Sequence, residues 1–303
     1  MPQGDRTTIV LPPTHVLDLR LIFEVFKLRI GLVIGLTAIA GLAVAPGRSL
    51  PAWKVGALAL AVTLASAAAG AFNQYAERDL DARMGRTRNR AFVTGRLAAG
   101  PAWLVAIVAA GALGVGLAAA ALNAVAATYT FLGAFTYAVV YTILLKRRTC
   151  WNIVIGGLAG SFSVLAGAAA VSPQSLGVLP AMLAIVLFLW TPPHFWSLAI
   201  AFRDDYAAAK VPMLPVVVGN ARAARVVLAG SALLVAVALL PAMFGMGRFY
   251  LATAVGAGVY LLVRSVQLVR APTRRTAIAN FHASLVYLAL LLGAAIADAP
   301  VKS

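Results

Sequence analysis

Nine stretches of this chain are apolar for long enough to cross a lipid bilayer, at roughly 30–46, 53–74, 102–121, 124–144, 153–171, 178–201, 223–243, 249–268 and 281–298. Hydrocarbon offers backbone amides no water to bond, so a spanning chain must satisfy them inside helices or a closed barrel. Segments of this length predict helices. The expected fold is an all-α integral membrane protein, a bundle of nine transmembrane helices. Of 303 residues, 62% are hydrophobic and 11% charged, outside the range of soluble domains. Several segments are rich in Ala and Gly, which favours close helix packing.

Charge placement predicts the orientation. With the N-terminus cytoplasmic, 21 of the 25 Lys and Arg and eight of the nine acidic residues fall on that side. An odd number of crossings puts the C-terminus outside. The same distribution argues against nucleic acid as a partner, despite a net charge of +16, because the basic residues follow membrane topology rather than one binding stripe. Residues 1–28 read as a cytoplasmic segment ending in an amphipathic interfacial helix over 16–29, with Leu21, Phe23 and Val25 interleaved with charge. Residues 29–298 read as one nine-helix domain and 299–303 as a short tail. The first stretch resembles neither a cleavable signal nor a transit segment, so a multi-pass protein of the bacterial cytoplasmic (inner) membrane is expected. The single cysteine, Cys150, excludes an internal disulfide framework and reads as a packing residue at a helix start.

Polar chemistry concentrates at one membrane face. The stretch from Asn73 to Arg90 reads N-Q-Y-A-E-R-D-L-D-A-R-M-G-R-T-R-N-R and holds three of the nine acidic residues. If the preceding apolar segment continues as a helix, Asn73, Glu77 and Asp81 fall at i, i+4 and i+8, drifting only about 40° per step. An amide and two carboxylates then line one face. Asp79 points to the other side, where Arg83 at i+4 is its expected partner. Carboxylates beside Arg86, Arg88 and Arg90 describe either a solvated loop or a site for a divalent metal and the phosphates it bridges. Ionisable groups at the end of a membrane span favour the site.

Later segments add candidates at the same mouth. Lys146, Arg147 and Arg148 read as topology signals or as cations for phosphate oxygens. The sixth span ends in W-T-P-P-H-F-W, where a double proline is expected to distort the helix just before His194. A lone histidine on an apolar helix is either a hydrogen-bonded core residue or a contact to a flat hydrophobic molecule. His194 sits between Trp190, Phe195 and Trp196 in the sequence. Asp204 and Asp205 are adjacent, so about 100° apart on a helix; Asp205 is expected to face inward and Asp204 water.

Taken in order, N-Q-x-x-E-x-x-x-D, M-x-R-T-x-x-R, Y-T-x-x-L-K-R-x-T-x-x-N-I-V-I-G-G, W-T-P-P-H-F-W, D-Y-x-x-A-x-x-P-M-L-P and F-H-x-S-x-x-Y-L resemble the protoheme IX farnesyltransferase (heme O synthase) family of the UbiA intramembrane prenyltransferase superfamily. The resemblance covers nearly the whole chain from the first span. It implies prenyl transfer from farnesyl diphosphate to a vinyl group of heme b, with water added, giving heme O and diphosphate. It implies Mg²⁺ as cofactor, membrane lipid as surroundings and a heme A synthase as candidate protein partner. Asn73, Glu77 and Asp81 match the first metal–diphosphate motif and Asp205 the second, making Glu77, Asp81 and Asp205 the expected metal ligands. Arg86, Arg90, Lys146 and Arg147 fall in the family's basic segments. His194 and His282, with Trp196, are the expected heme contacts. Glu77 stands where many superfamily members have Asp, Ala91 replaces a common proline, and Leu28 lies where K-P-R is usual.

Overall fold

A computed structural model describes residues 19–299. Among them every regular element is helical: α1 (Leu19–Val25), α2 (Leu28–Val44), α3 (Ala52–Ala76), α4 (Arg78–Asp81), α5 (Pro101–Ala121), α6 (Ala124–Phe135), α7 (Asn152–Gly156), α8 (Leu158–Val171), α9 (Val178–Ala201), α10 (Arg203–Ala208), α11 (Leu214–Val218), α12 (Asn220–Leu239), α13 (Arg248–Arg270) and α14 (Arg274–Ala297). A π-helix, Thr136–Leu145, extends α6, and a 3₁₀ turn, Leu240–Phe244, extends α12. Eight of these helices, counting the extensions and joining α7 to α8, are long and apolar enough to cross a bilayer. The first expected span, α2, has 17 residues and falls short of that length. Residues 1–18, the start of the cytoplasmic segment and of its expected interfacial helix, lie outside the described residues, as does the end of the tail, 300–303.

Small residues set the packing. A Cβ on Gly41 would lie 2.1 Å from the Val164 carbonyl oxygen, and one on Gly167 would lie 1.8 Å from that of Ala38. α2 and α8 therefore cross backbone to backbone, and the Thr37 and Ser163 hydroxyls bond each other at the crossing. The larger side chains fill two regions. Leu234, Tyr250, Leu261, Tyr287 and Leu291 pack α12, α13 and α14 together. Leu80, Met84, Trp196, Tyr206 and Met213 pack the segment after α3 against the ends of α9 and α10. This second cluster brings the two acidic segments to one end of the bundle.

The amphipathic segment is not one helix. α1 stops at Val25, and Lys27 takes a left-handed backbone conformation (φ 48°) before α2 begins. The side-chain amide of Gln74 donates to the carbonyls of Glu24 and Val25, at 2.8 and 3.0 Å, capping the end of α1. Helix α9, by contrast, runs through Pro192 and Pro193 without interruption.

Candidate active site

The acidic face forms as its spacing predicts. Backbone bonds from Glu77 N to Asn73 O (3.0 Å) and from Asp81 N to Glu77 O (2.8 Å) carry helical register from α3 into α4. Asn73, Glu77 and Asp81 are all buried, between 1% and 3% exposed. Each meets a cation. Lys146 Nζ lies 2.5 Å from Glu77 Oε2, Arg90 Nη1 lies 2.6 Å from Asp81 Oδ2, and Lys27 Nζ donates to Asn73 Oδ1 at 2.8 Å. Buried charges persist only when paired, so these contacts stabilise the face without a bound ion.

The π-helix supplies the opposite wall. Its i→i+5 bonding appears as Lys146 N donating to Tyr141 O at 2.9 Å, and it brings residues four or five apart onto one side. Tyr137 accepts from Lys27 (3.1 Å), Thr142 accepts from Asn73 Nδ2 (3.1 Å), and Lys146 reaches Glu77. Tyr141, between them, lies under the Lys146 ammonium, 5.5 Å from ring centre to Nζ.

Lys27 is the principal residue that the sequence reading missed. Its left-handed backbone turns the side chain inward, and Gly70 leaves room for its stem, since a Cβ there would lie 3.3 Å from Lys27 Cδ. Burial, with the nearby Arg90 and Lys146 charges next, pulls its ammonium down to about 7. The available signal was its place as the first residue of K-L-R. A cavity of about 350 Å³ opens beside it, with Lys27, Gln74, Arg86, Asn89 and Arg90 among its lining. A larger one, about 480 Å³, lies behind α4 against Arg78, Asp79 and Phe92.

Asp205 is partly buried and accepts from the Arg86 backbone N–H at 3.3 Å, while Asp204 is exposed. The second acidic segment therefore touches the loop after the first through Asp205. Arg86 itself is exposed and lies over the Phe202 ring. Asp79 does not pair with Arg83. It takes both Arg147 nitrogens, at 2.8 and 2.7 Å, across 68 residues, because a planar guanidinium matches two carboxylate oxygens at once. That pair is half-exposed and directs Arg147 to Asp79 rather than to Glu77 or Asp81. The guanidinium holds the Asp79 carboxyl below its ordinary range, and Asp79 raises Arg147. Cys150 sits half-buried in the turn before α7.

His194 lies in a separate seam between α9 and α14. Its ring stacks between Trp190 (4.1 Å between centres) and Phe281 (4.3 Å), and its Nδ1 is 2.6 Å from Ser284 Oγ. Trp190 Nε1 donates to the Ser284 carbonyl at 2.8 Å. One turn on, Asn280 Nδ2 donates to Ser197 Oγ. His282 does not join His194: it is exposed, with Phe281 touching both rings. Trp196 is buried and its Nε1 has no hydrogen-bond partner.

Among the described residues, no three His, Cys, Asp or Glu side chains gather closely enough to hold one ion. Glu77, Asp81 and Asp205 instead meet Lys146, Arg90 and the Arg86 amide. The donor chemistry nevertheless fits a hard cation. Glu77 Oε1 is buried without any partner, and hard divalent ions take carboxylate oxygens.

The chain belongs to the UbiA prenyltransferase family, which matches residues 34–291. It is 55% identical over 285 residues to protoheme IX farnesyltransferase 2 of Paramagnetospirillum magneticum, a match covering 93% of this chain and 97% of that one. Its fold is that of a digeranylgeranylglyceryl phosphate synthase, with a TM-score of 0.75 at 16% identity over 92% of this chain and 98% of that chain. A UbiA homologue from Archaeoglobus fulgidus bound to DMAPP and Mg²⁺ superposes with a TM-score of 0.65, also at 16% identity and over the same shares.

Proposed function

We propose that this chain transfers the farnesyl group of farnesyl diphosphate to a vinyl group of heme b, with addition of water, giving heme O and diphosphate for terminal oxidases. The observation that carries the reading is the buried face of Asn73, Glu77 and Asp81 beside a cavity lined by Lys27, Arg86 and Arg90. The 55% identity to a protein named a protoheme IX farnesyltransferase supports the choice of substrates.

Glu77, Asp81 and Asp205 are the residues that would hold Mg²⁺, which when bound neutralises charge on the leaving diphosphate. Arg86, Arg90, Lys146 and Lys27 exchange their present partners for diphosphate oxygens, so charge is met as the C–O bond breaks. Arg147 joins them only by leaving Asp79. Asn73, bonded to Lys27 and Thr142, orients the carboxylate face. Tyr141 offers an aromatic face to the allylic cation. The terminal vinyl carbon then bonds to C1 of the farnesyl group. The cation left beside the macrocycle takes oxygen from water, and a proton leaves. His194, His282 and Trp196 contact the heme, and the apolar surroundings restrict water until the carbon–carbon bond has formed.

In this reading α2 is a ninth crossing, the N-terminus faces the cytoplasm and the C-terminus the outside of a bacterial inner membrane. The concentration of 21 of 25 Lys and Arg on one side supports it. Labelling single cysteines placed at Arg88 and Arg248, in a Cys150→Ser background, tests this: equal access from one side of the membrane contradicts it. A heme A synthase is the partner expected to take the product. The reaction itself is tested with purified protein in lipid, heme b, farnesyl diphosphate and Mg²⁺, with products separated by mass. Farnesylated hydroxyethyl heme from the wild type, reduced about 10²- to 10³-fold or more in Asp81→Ala, is expected. Prenylation of an aromatic acid instead of heme would overturn the choice of acceptor.

A further inference from the structure

Ser284 lies 90 residues from His194 in sequence yet holds its ring nitrogen, and nothing in the acidic site requires it. Both faces of the His194 imidazole are covered, by Trp190 and Phe281, and Phe195 meets it edge-on at 4.9 Å. Nδ1 is taken by Ser284 Oγ. Among the described residues Nδ1 is the ring nitrogen that a protein group bonds, which leaves Nε2 as the polar atom of the ring for a ligand.

The direction of the Nδ1 contact follows from the serine's other bond. A hydroxyl has one proton, and Ser284 Oγ donates it to the Phe281 carbonyl at 2.7 Å. Toward His194 the oxygen is then an acceptor, and Nδ1 carries the proton. In a neutral imidazole that leaves the lone pair on Nε2. The Trp190 Nε1 bond to the Ser284 carbonyl fixes the same serine from its backbone side. A neutral histidine with one face-stacked ring, a proton anchored on Nδ1 and an unpaired Nε2 has the arrangement that orients a metal-binding imidazole and raises its basicity.

We propose that Ser284 is a positioning residue that sets His194 as an Nε2 axial ligand to the iron of bound heme b. This rests on the reading of heme as the acceptor. The ligation would fix the macrocycle beside the α9–α14 seam.

The test uses full-length protein in lipid discs loaded with heme b, reduced without oxygen, and resonance Raman of the iron–histidine stretch. The wild type is expected to show the band and His194→Ala to lose it. Ser284→Ala is expected to show it at lower frequency, with heme affinity reduced about 10- to 100-fold, and Ser284→Thr, which keeps the hydroxyl, to restore both. Should the alanine variant fail to fold, Ser284→Cys, with its weak sulfur acceptor, is expected to place the band between the two. Heme bound by the wild type with a band that survives His194→Ala, or is unmoved in Ser284→Ala or Ser284→Cys, overturns this inference and leaves the acceptor reading intact. A wild type that binds no heme overturns both.

Discussion

The two polar regions of this bundle are built from opposite materials. At the mouth of α3 and the π-helix, Glu77 and Asp81 are held by Lys146 and Arg90, and Asn73 by Lys27. In the α9–α14 seam, His194 is held by two aromatic faces and a hydroxyl, with no formal charge in contact. Ion pairs can exchange one anion for another with little change of shape, whereas a stacked ring bonded through one nitrogen cannot move without losing its packing. The difference suits one region to an anion that arrives and leaves and the other to a flat molecule that must be held still. It also means that the two regions fail in different ways when mutated.

The largest effect that separates them is expected from Lys146→Met. It leaves the Glu77 carboxylate, 1% exposed, without its cation, and an unpaired buried charge of this kind costs about 3–5 kcal/mol. Thermal unfolding in detergent is expected to fall steeply, with heme binding retained at low temperature. Equal loss of heme binding would show the regions to be coupled.

Lys27 sharpens the same contrast through pH. Its folded value is about 7 and its ordinary value 10.5, so between them the unfolded chain holds the extra proton. Stability should therefore rise with pH from about 7 to 10.5 on account of this residue, and be independent of it below that window. Lys27→Met is expected to flatten the rise in apparent Tm across the window. An unchanged slope would mean that Lys27 is not the partly desolvated cation described here.

Smaller effects come next. Trp190→Phe keeps a ring over His194 but removes the donor to the Ser284 carbonyl, at an expected cost of about 1 kcal/mol. It should weaken heme binding and leave diphosphate release untouched. Arg147→Ala breaks only a half-exposed pair and is expected to cost at most about 1 kcal/mol. Because Asp79 is held below its ordinary 3.8, the pair's contribution is present above that pH and is lost as pH falls through the depressed value. A loss of turnover in Arg147→Ala as large as in Asp81→Ala would instead place Arg147 in the diphosphate set.

Much of the mouth was legible in the sequence because it is local. Asn73, Glu77 and Asp81 share one helical face at a spacing of four, and the structure keeps that register through the junction at Glu77. Asp204 and Asp205 also divided as adjacent helical residues must. What was not legible depends on backbone departures and distant partners. A single left-handed residue, Lys27, converts an apparent topology charge into a half-buried contact. The π-helix aligns Tyr137, Thr142 and Lys146 at a spacing that an α-helical reading spreads around the axis. Asp79 had a local candidate in Arg83, but the bidentate fit of Arg147, brought near only by folding, prevails. Likewise the serine of F-H-x-S meets His194 only once α14 has packed on α9, while the neighbouring His282 is turned outward.

Separate binding of the two substrates tests the division between the regions most directly. Equilibrium binding of heme b, and of a non-hydrolysable farnesyl diphosphate analogue with Mg²⁺, would be measured on wild type, Asp81→Ala and His194→Ala in the same lipid discs. The account predicts that Asp81→Ala loses the analogue and keeps heme, and that His194→Ala does the reverse. Loss of both ligands in either folded variant, or of neither in both, would contradict it.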